Sequence, residues 1–312
     1  MSPLSQWVPY KLLPAADQTL CRWMNTKNKP FTEPFFEDTI TVCRSMGTHS
    51  LHVDSNISLL PDWTNGLNTT QPAAFIFHIS RCGSTLLSQL LAMDPENIVL
   101  SEVPFFDEIL RAPYRQQSIP QKEMLHAAIQ FYGQVRLGCE RRSFIKTDSW
   151  HIFFYKLLRE IYPSTPFILL YRKPAEVIRS HQKKRGMQAV PGVIEREIFG
   201  FEENDVTDLD RYMASVIEKY LTLFNEVIEN DQNALLVNYN EGMLNVVMQT
   251  AQFTGLDIST SMREQMEERC NYNAKYPGEV FSEAKLETAP PDYLQNCIQL
   301  YEQLEQKRMI TA

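Results

Sequence analysis

The chain has 312 residues, 44% of them hydrophobic and 22% charged, with a formal net charge of −8. This is ordinary globular composition, long enough for one large domain or two small ones. The acidic balance argues against a protein that grips nucleic acid without sequence preference, so any anion site must be a local basic pocket.

Residues 1–70 are rich in Pro, Asn and Thr and read as an N-terminal appendage. A short helix is expected around residues 16–25, followed by irregular or strand-like pieces. The segment "MSPLSQWVPYKLLPAADQ" has no basic stretch leading into an apolar run, so no signal peptide is expected. His49 and His52 have a ligand-like spacing but no third ligand nearby, and read as a surface turn. From residue 73 strands and helices alternate. "AAFIFHI" is a continuous apolar run of the kind found in buried parallel strands, and Leu86, Leu87, Leu90 and Leu91 follow at helical spacing. "NIVLSE" is a strand, residues 121–138 a helix, "RSFIKT" a strand and "SWHIFFYKLLREIY" a helix. "PFILLYR" is a strand. In "KPAEVIRSHQKKRG" Pro174 suits a first helical turn and Gly186 a C-terminal stop. Residues 208–230 form a long amphipathic helix, "NALLVNY" a strand and residues 242–254 a helix, and "PPDYLQNCIQLYEQLEQKR" closes the chain as an amphipathic helix. The pattern predicts an α/β fold: a parallel sheet flanked by helices, with ligands outside the C-terminal strand ends.

The six cysteines (Cys21, Cys43, Cys82, Cys139, Cys270, Cys297) are scattered, with no CxxC spacing, and read as reduced thiols. No apolar segment approaches 18 residues, so no membrane span is expected and the chain reads as cytoplasmic. The sequons at Asn56 and Asn68 are chance matches in that setting.

Two motifs carry chemistry. In "HISRCGST" an apolar strand enters a Gly-Ser-Thr turn ahead of a helix. Backbone N–H groups of such a turn, with the unpaired donors of the helix start, form an anion nest. Gly83 permits close approach, and Ser84 and Thr85 add hydroxyls. A nucleoside-triphosphate loop would read G-x-x-x-x-G-K-[ST]. Here His78 occupies the first glycine position and Ser84 the lysine position, while the cation sits inside the loop at Arg81. In "YRKPAEVIRSHQ" Arg172 ends a strand, placed to fork a phosphate, and Ser180 lies eight residues on in the following helix. Taken singly, each motif also has a plain alternative: an ordinary strand-to-helix turn, or a strand-capping arginine and a solvent-facing serine.

Together, S-R-x-G-[ST]-T and R…S at spacing eight resemble the sulfotransferase superfamily. "FIKTDSWHIFFYKLLREIYPSTPFILLYRKP" is similar to its central region, and "LLVNYNEGM" to its Y-E-x-L segment, with Asn240 in place of the Glu. The resemblance covers residues 73 to about 305 and implies a P-loop NTPase-like sulfotransferase fold over residues 71–312. It implies that Arg81, Cys82, Gly83, Ser84 and Thr85 bind the 5′-phosphosulfate of the co-substrate 3′-phosphoadenosine-5′-phosphosulfate (PAPS). It also implies that Arg172 and Ser180 bind the 3′-phosphate, and that no metal is needed. Arg81 is then the candidate for the charge on the leaving group. Arginine in the first loop resembles the tyrosylprotein and several bacterial branches.

Three residues compete for the general base. Glu102 in "VLSEVPFF" matches the glutamate base of the tyrosylprotein branch. Asp148 in "IKTDSWH" falls where cytosolic sulfotransferases carry a histidine. His151 has the intrinsic pKa nearest neutrality. Glu102 is favoured over Asp148, and Asp148 over His151, although Glu102 would equally serve as a carboxylate answering a helix dipole and His151 as a packed ring. Lys146 resembles a family lysine near the transferred group. The family's G-x-x-G-x-W-K loop is missing; "NYNAKYPGEVFSEAK" takes its place, with Lys275 in reach of a phosphate and Tyr239 near the adenine. Residues 187–206 read as a lid or acceptor-recognition segment. The implied activity is sulfuryl transfer from PAPS to a hydroxyl or amine of a small metabolite or natural product. The alternatives are a P-loop kinase or nucleoside triphosphatase, a non-catalytic nucleotide-binding protein, and a protein-tyrosine sulfotransferase. The oligomeric state stays open.

Overall fold

The structure is a computed structural model and describes residues 3–15, 18–46, 53–202, 208–275, 279–280 and 289–311. His49 and His52, the end of the expected lid, and most of the segment expected to replace the family's C-terminal loop lie outside those residues. The strands are β1 (Trp7–Ala15), β2 (Gln18–Asn25), β3 (Val53–Asn56), β4 (Pro72–His78), β5 (Asn97–Ser101), β6 (Arg142–Lys146), β7 (Phe167–Tyr171) and β8 (Ala234–Asn238). The helices of the first half are α1 (Phe36–Ser45), α2 (Leu60–Trp63), α3 (Ser84–Leu91), α4 (Pro104–Arg111), α5 (Gln121–Tyr132) and α6 (Tyr155–Ile161). Those of the second are α7 (Pro174–Lys183), α8 (Arg196–Phe199), α9 (Leu209–Asn230), α10 (Met243–Thr254), α11 (Thr260–Arg269) and α12 (Gln295–Thr311).

The five strands expected from residue 73 onward all form, and they make one sheet in the order β5-β6-β4-β7-β8. β5 pairs with β6 in parallel, Asn97 opposite Arg142, and β7 pairs with β8 in parallel, Phe167 opposite Ala234. β5 and β7 are buried along their whole length, as a parallel strand covered by helices requires.

Two compact units emerge. One comprises residues 1–75, 88–148 and 156–165. Its second sheet is antiparallel, in the order β1-β2-β3, with Trp7 opposite Asn25 and Leu20 opposite Asn56. The helix expected over residues 16–25 is therefore a strand over its described part. The period is two: Cys21 and Trp23 are buried on one face, while Arg22 on the other pairs with Asp54 at 2.8 Å. Trp23 packs edge-on to Phe131 of α5 at 4.9 Å, and Tyr132 donates to the Pro9 carbonyl at 2.5 Å. These contacts override a pattern too short for periodicity to settle. α5 stops at Tyr132, short of the expected residue 138, because the chain beyond it bonds to residues 68–70 instead: Gly133 O accepts the Thr70 N–H at 2.8 Å and the Val135 N–H donates to Asn68 O at 2.9 Å.

The other unit comprises residues 76–87, 149–155 and 166–312. α9 packs against α7 and α12. The C-terminal helix is locked by Arg308, which bonds Glu305 at 3.0 Å and Glu241 at 2.5 Å, and by Tyr301, which accepts from Asn238 at 2.8 Å. The expected helix from Ser149 begins instead as a 3-10 segment, Ser149–Phe154, before α6. Among the described residues no helix is long and apolar enough to cross a membrane.

Candidate functional site

The loop after β4 is wound by three left-handed residues: Ser80 (φ 67°), Arg81 (φ 51°) and Gly83 (φ 84°). Two of these carry side chains, and that conformation costs on the order of 1–2 kcal/mol per non-glycine residue. The turn is closed by the Ser80 N–H donating to His78 Nδ1 at 3.1 Å and by the Ile79 N–H donating to Leu170 O at 3.3 Å. α3 starts as Leu87 N–H donates to Gly83 O at 3.0 Å, which places Ser84 and Thr85 in its first turn. Both residues are buried. Cys82 is fully buried and its thiol donates to Leu170 O, so the side chain is turned into the fold.

Gly83 is fixed by more than its φ. A Cβ there would stand 2.5 Å from Tyr239 Cδ2 and 2.8 Å from Met243 Sδ. Tyr239 is thus pressed against the loop on one side. The Arg172 guanidinium lies 4.4 Å from the centroid of its ring. Arg172 is buried; its Nε donates to Glu176 at 2.6 Å and its Nη1 to the Arg81 carbonyl at 3.3 Å. Glu176 also accepts from Asn240 at 3.0 Å, and Asn240 in turn accepts from the Lys173 N–H at 3.2 Å. Despite burial, these donors hold the Glu176 carboxyl below its ordinary value. The two motifs singled out from the sequence therefore meet in one hydrogen-bonded structure. Glu176, which sequence reasoning missed, braces it; its only signal was the i,i+4 spacing from Arg172.

Arg81 turns its guanidinium to the end of α7, donating to Lys184 O at 2.5 Å. Ser180 is half-buried on the same helix. Lys275 is exposed, its N–H held by Asn273 at 2.9 Å. His151 is buried edge-on to Trp150, 5.9 Å between ring centroids, and lies beside Phe154.

The remaining candidates belong to the other unit. Glu102 follows β5 with φ 52°, its N–H bonded to Lys146 O at 2.8 Å. Lys146 ends β6 and is wholly buried; its ammonium stands 2.6 Å from Glu102 Oε1, without hydrogen-bond alignment, and 4.9 Å from the centroid of the Phe35 ring. Asp148 follows two residues on. Enclosure by protein, then the charges of Glu102 and Asp107, push its carboxyl well above the ordinary value, against Lys146 and Arg111. Asp107 lies within 4.8 Å of Asp148 and is itself held by Arg111 at 2.9 Å. This unit thus sets two carboxyls beside one buried ammonium, a group that can hold a proton and hand it on. Phe35, Asp107 and Arg111 were not legible as part of it; only the i,i+4 spacing of the last two gave a hint.

Residues 72–252, more than half of the chain, match the model of the sulfotransferase family. Among curated proteins nothing matches. Among solved structures the chain is similar to the sulfotransferase domain of the Synechococcus PCC 7002 olefin synthase, at 16% identity and a TM-score of 0.46, over 77% of this chain and 96% of that one. It is similar to sulfotransferase STF1 from Mycobacterium tuberculosis, at 16% identity and a TM-score of 0.45, over 67% of this chain and 76% of that one. It is also similar to a mouse sulfotransferase complexed with PAP, at 12% identity and a TM-score of 0.39, over 82% of this chain and 89% of that one. The family match spans the β4 loop, the β6 lysine and the segment from Arg172 to Ser180, and the chain belongs to the sulfotransferase family.

Proposed function

We propose that the protein transfers a sulfuryl group from PAPS to a hydroxyl or amine of a small-molecule acceptor. The observation that carries this reading is the bond from Arg172 to the Arg81 carbonyl, which joins the two anion-binding motifs in one cradle. A nucleotide with one anionic group on each ribose end calls for two such sites. The β4 loop takes the phosphosulfate on its amides and on Arg81. Arg172 and Ser180 take the 3′-phosphate, and Tyr239 borders the loop. The lysine of a triphosphate loop is missing, which suits a donor that needs no metal bridge between its phosphates.

In-line transfer leaves the protein three tasks: to align acceptor and donor, to offset charge at the leaving phosphate, and to remove the acceptor proton. Arg81 and the loop amides serve the second. Glu102 serves the third, oriented by Lys146. Asp148 is the weaker candidate because it is enclosed by protein beside the charges of Glu102 and Asp107, whereas Glu102 keeps 22% of its side chain exposed and open to an acceptor. Residues 187–193 support an acceptor with apolar surface, since Met187, Val190 and Val193 are exposed there. The test is incubation with PAPS labelled in the sulfuryl group and a fractionated metabolite extract. Label should move to a small molecule, with release of 3′-phosphoadenosine-5′-phosphate (PAP). Transfer of label from γ-labelled ATP instead would overturn the reading.

A further inference from the structure

β7 and β8 run in parallel and end on a matched pair, Tyr171 opposite Asn238. Both residues are buried, and α12 takes up both side chains. The Tyr171 hydroxyl donates to Glu305, its ring lies edge-on to Tyr301 at 5.7 Å, and Asn238 Nδ2 donates to the Tyr301 hydroxyl at 2.8 Å. Arg308, one turn beyond Glu305, is buried and binds two carboxylates at once. Its Nε and Nη2 fork Glu305 at 3.0 and 3.1 Å, and its Nη1 donates to Glu241 at 2.5 Å. Burial would raise the Glu305 carboxyl, but the bonds from Arg308, then Tyr171 and Asn238, hold it below its ordinary value.

The residues next in line are those of the cradle. Arg172 follows Tyr171 and Tyr239 follows Asn238, and the guanidinium of one lies over the ring of the other. Glu241 stands two residues beyond Tyr239. Between them Asn240 is fixed at both ends: its N–H donates to Asn238 Oδ1 at 2.9 Å, and its side chain donates to Glu176, which accepts from Arg172 Nε. α12 thus grips the chain just before Arg172, just before Tyr239 and just after Asn240. A guanidinium that binds two carboxylates in fixed directions sets their separation as well as offsetting their charge, which a flexible ammonium does less well. We propose that Arg308 and Tyr301 are positioning residues for the donor nucleotide, holding the ends of β7 and β8 at the spacing that aims Arg172 at the 3′-phosphate. This rests on the reading that Arg172 holds that phosphate. Bonds to phosphate are short and directional, so a small displacement of the guanidinium weakens them. The family match ends at residue 252 and α12 lies beyond it, so the brace comes from a part of the chain that the match does not cover.

The experiment is calorimetric titration with PAP and with adenosine 5′-phosphate, on the wild type, Arg308→Met, Arg172→Ala and the double variant. The wild type should prefer PAP. Arg308→Met should reduce that preference about three- to tenfold, a part of the loss expected for a missing hydrogen bond to a charged group. In the Arg172→Ala background the same substitution should leave the remaining preference unchanged, because the group it aims is gone. A role in stability alone would weaken both nucleotides alike. Full preference for PAP in Arg308→Met, or an undiminished further loss in the Arg172→Ala background, overturns the inference and leaves the donor reading standing. If the wild type binds the two nucleotides equally, the donor reading falls and the inference falls with it. Tyr301→Phe removes one oxygen and keeps the ring against Tyr171, so it serves where Arg308→Met does not fold. It should lower the preference for PAP about two- to threefold, as for a lost neutral hydrogen bond, and an unchanged preference there overturns the inference.

Discussion

Lys146 and Glu102 form an unequal pair. The ammonium is wholly inaccessible and 2.6 Å from a carboxylate that keeps 22% of its side chain exposed. Removing the carboxylate strands a buried charge, whereas removing the ammonium leaves an acid that water can still reach. Glu102→Gln should therefore cost stability, up to about 3 kcal/mol, and Lys146→Met distinctly less. Calorimetric unfolding of the two variants checks the order.

The same substitution separates binding from chemistry. Glu102→Gln should leave PAP affinity nearly unchanged and slow single-turnover transfer by about 10²–10⁴-fold, the range for a lost general base. Turnover within a few-fold of wild type would move the role to Asp148 or His151.

Arg172 touches Glu176, the Arg81 carbonyl and the Tyr239 ring. As the 3′-phosphate ligand it should matter only for nucleotides that carry that group. Arg172→Ala should weaken PAP by at least about tenfold relative to adenosine 5′-phosphate, as expected for a lost charge-assisted hydrogen bond. Equal loss for the two nucleotides in calorimetry would show that Arg172 only supports the loop.

Gly83 has no room for a methyl group and sits at φ 84°. Gly83→Ala should destabilise the protein by about 1–3 kcal/mol and abolish PAP binding, because the loop must move away from Tyr239. Combining it with Tyr239→Ala should recover part of the stability, since the clash is relieved but the backbone strain is not. Thermal unfolding of the single and double variants reads this.

Glu108 in α4 accepts the Leu12 N–H of β1 at 2.5 Å, and burial pushes its carboxyl up to about 7 from 4.5. The folded state then holds a proton that the unfolded state releases. This contribution is fully present below about pH 4.5 and is lost as pH rises to about 7, by up to roughly 3 kcal/mol. Glu108→Gln keeps an acceptor for Leu12 and should flatten this part of the stability–pH curve. Urea unfolding at pH 5 and pH 8 measures the difference.

The motifs at the ends of β4 and β7 were legible because their chemistry is local. A glycine turn feeding a helix, and an arginine closing an apolar strand, declare themselves within a dozen residues. The β-rich start of the chain was not. Gln18–Asn25 is too short for its period to tell strand from helix, and Trp23 settles it only by packing on Phe131, more than a hundred residues away.

The sequence alone determined the α/β alternation, the five strands of the main sheet and the family motifs, since apolar runs, turn residues and short motifs are written in neighbouring positions. Only the tertiary structure decided that Arg172 grips the Arg81 carbonyl and that Tyr239 closes against Gly83. It alone decided that Lys146 is buried beside Glu102. Each of these relations joins residues brought together by chain crossovers or by burial, and burial sets the strength of a charge or a donor.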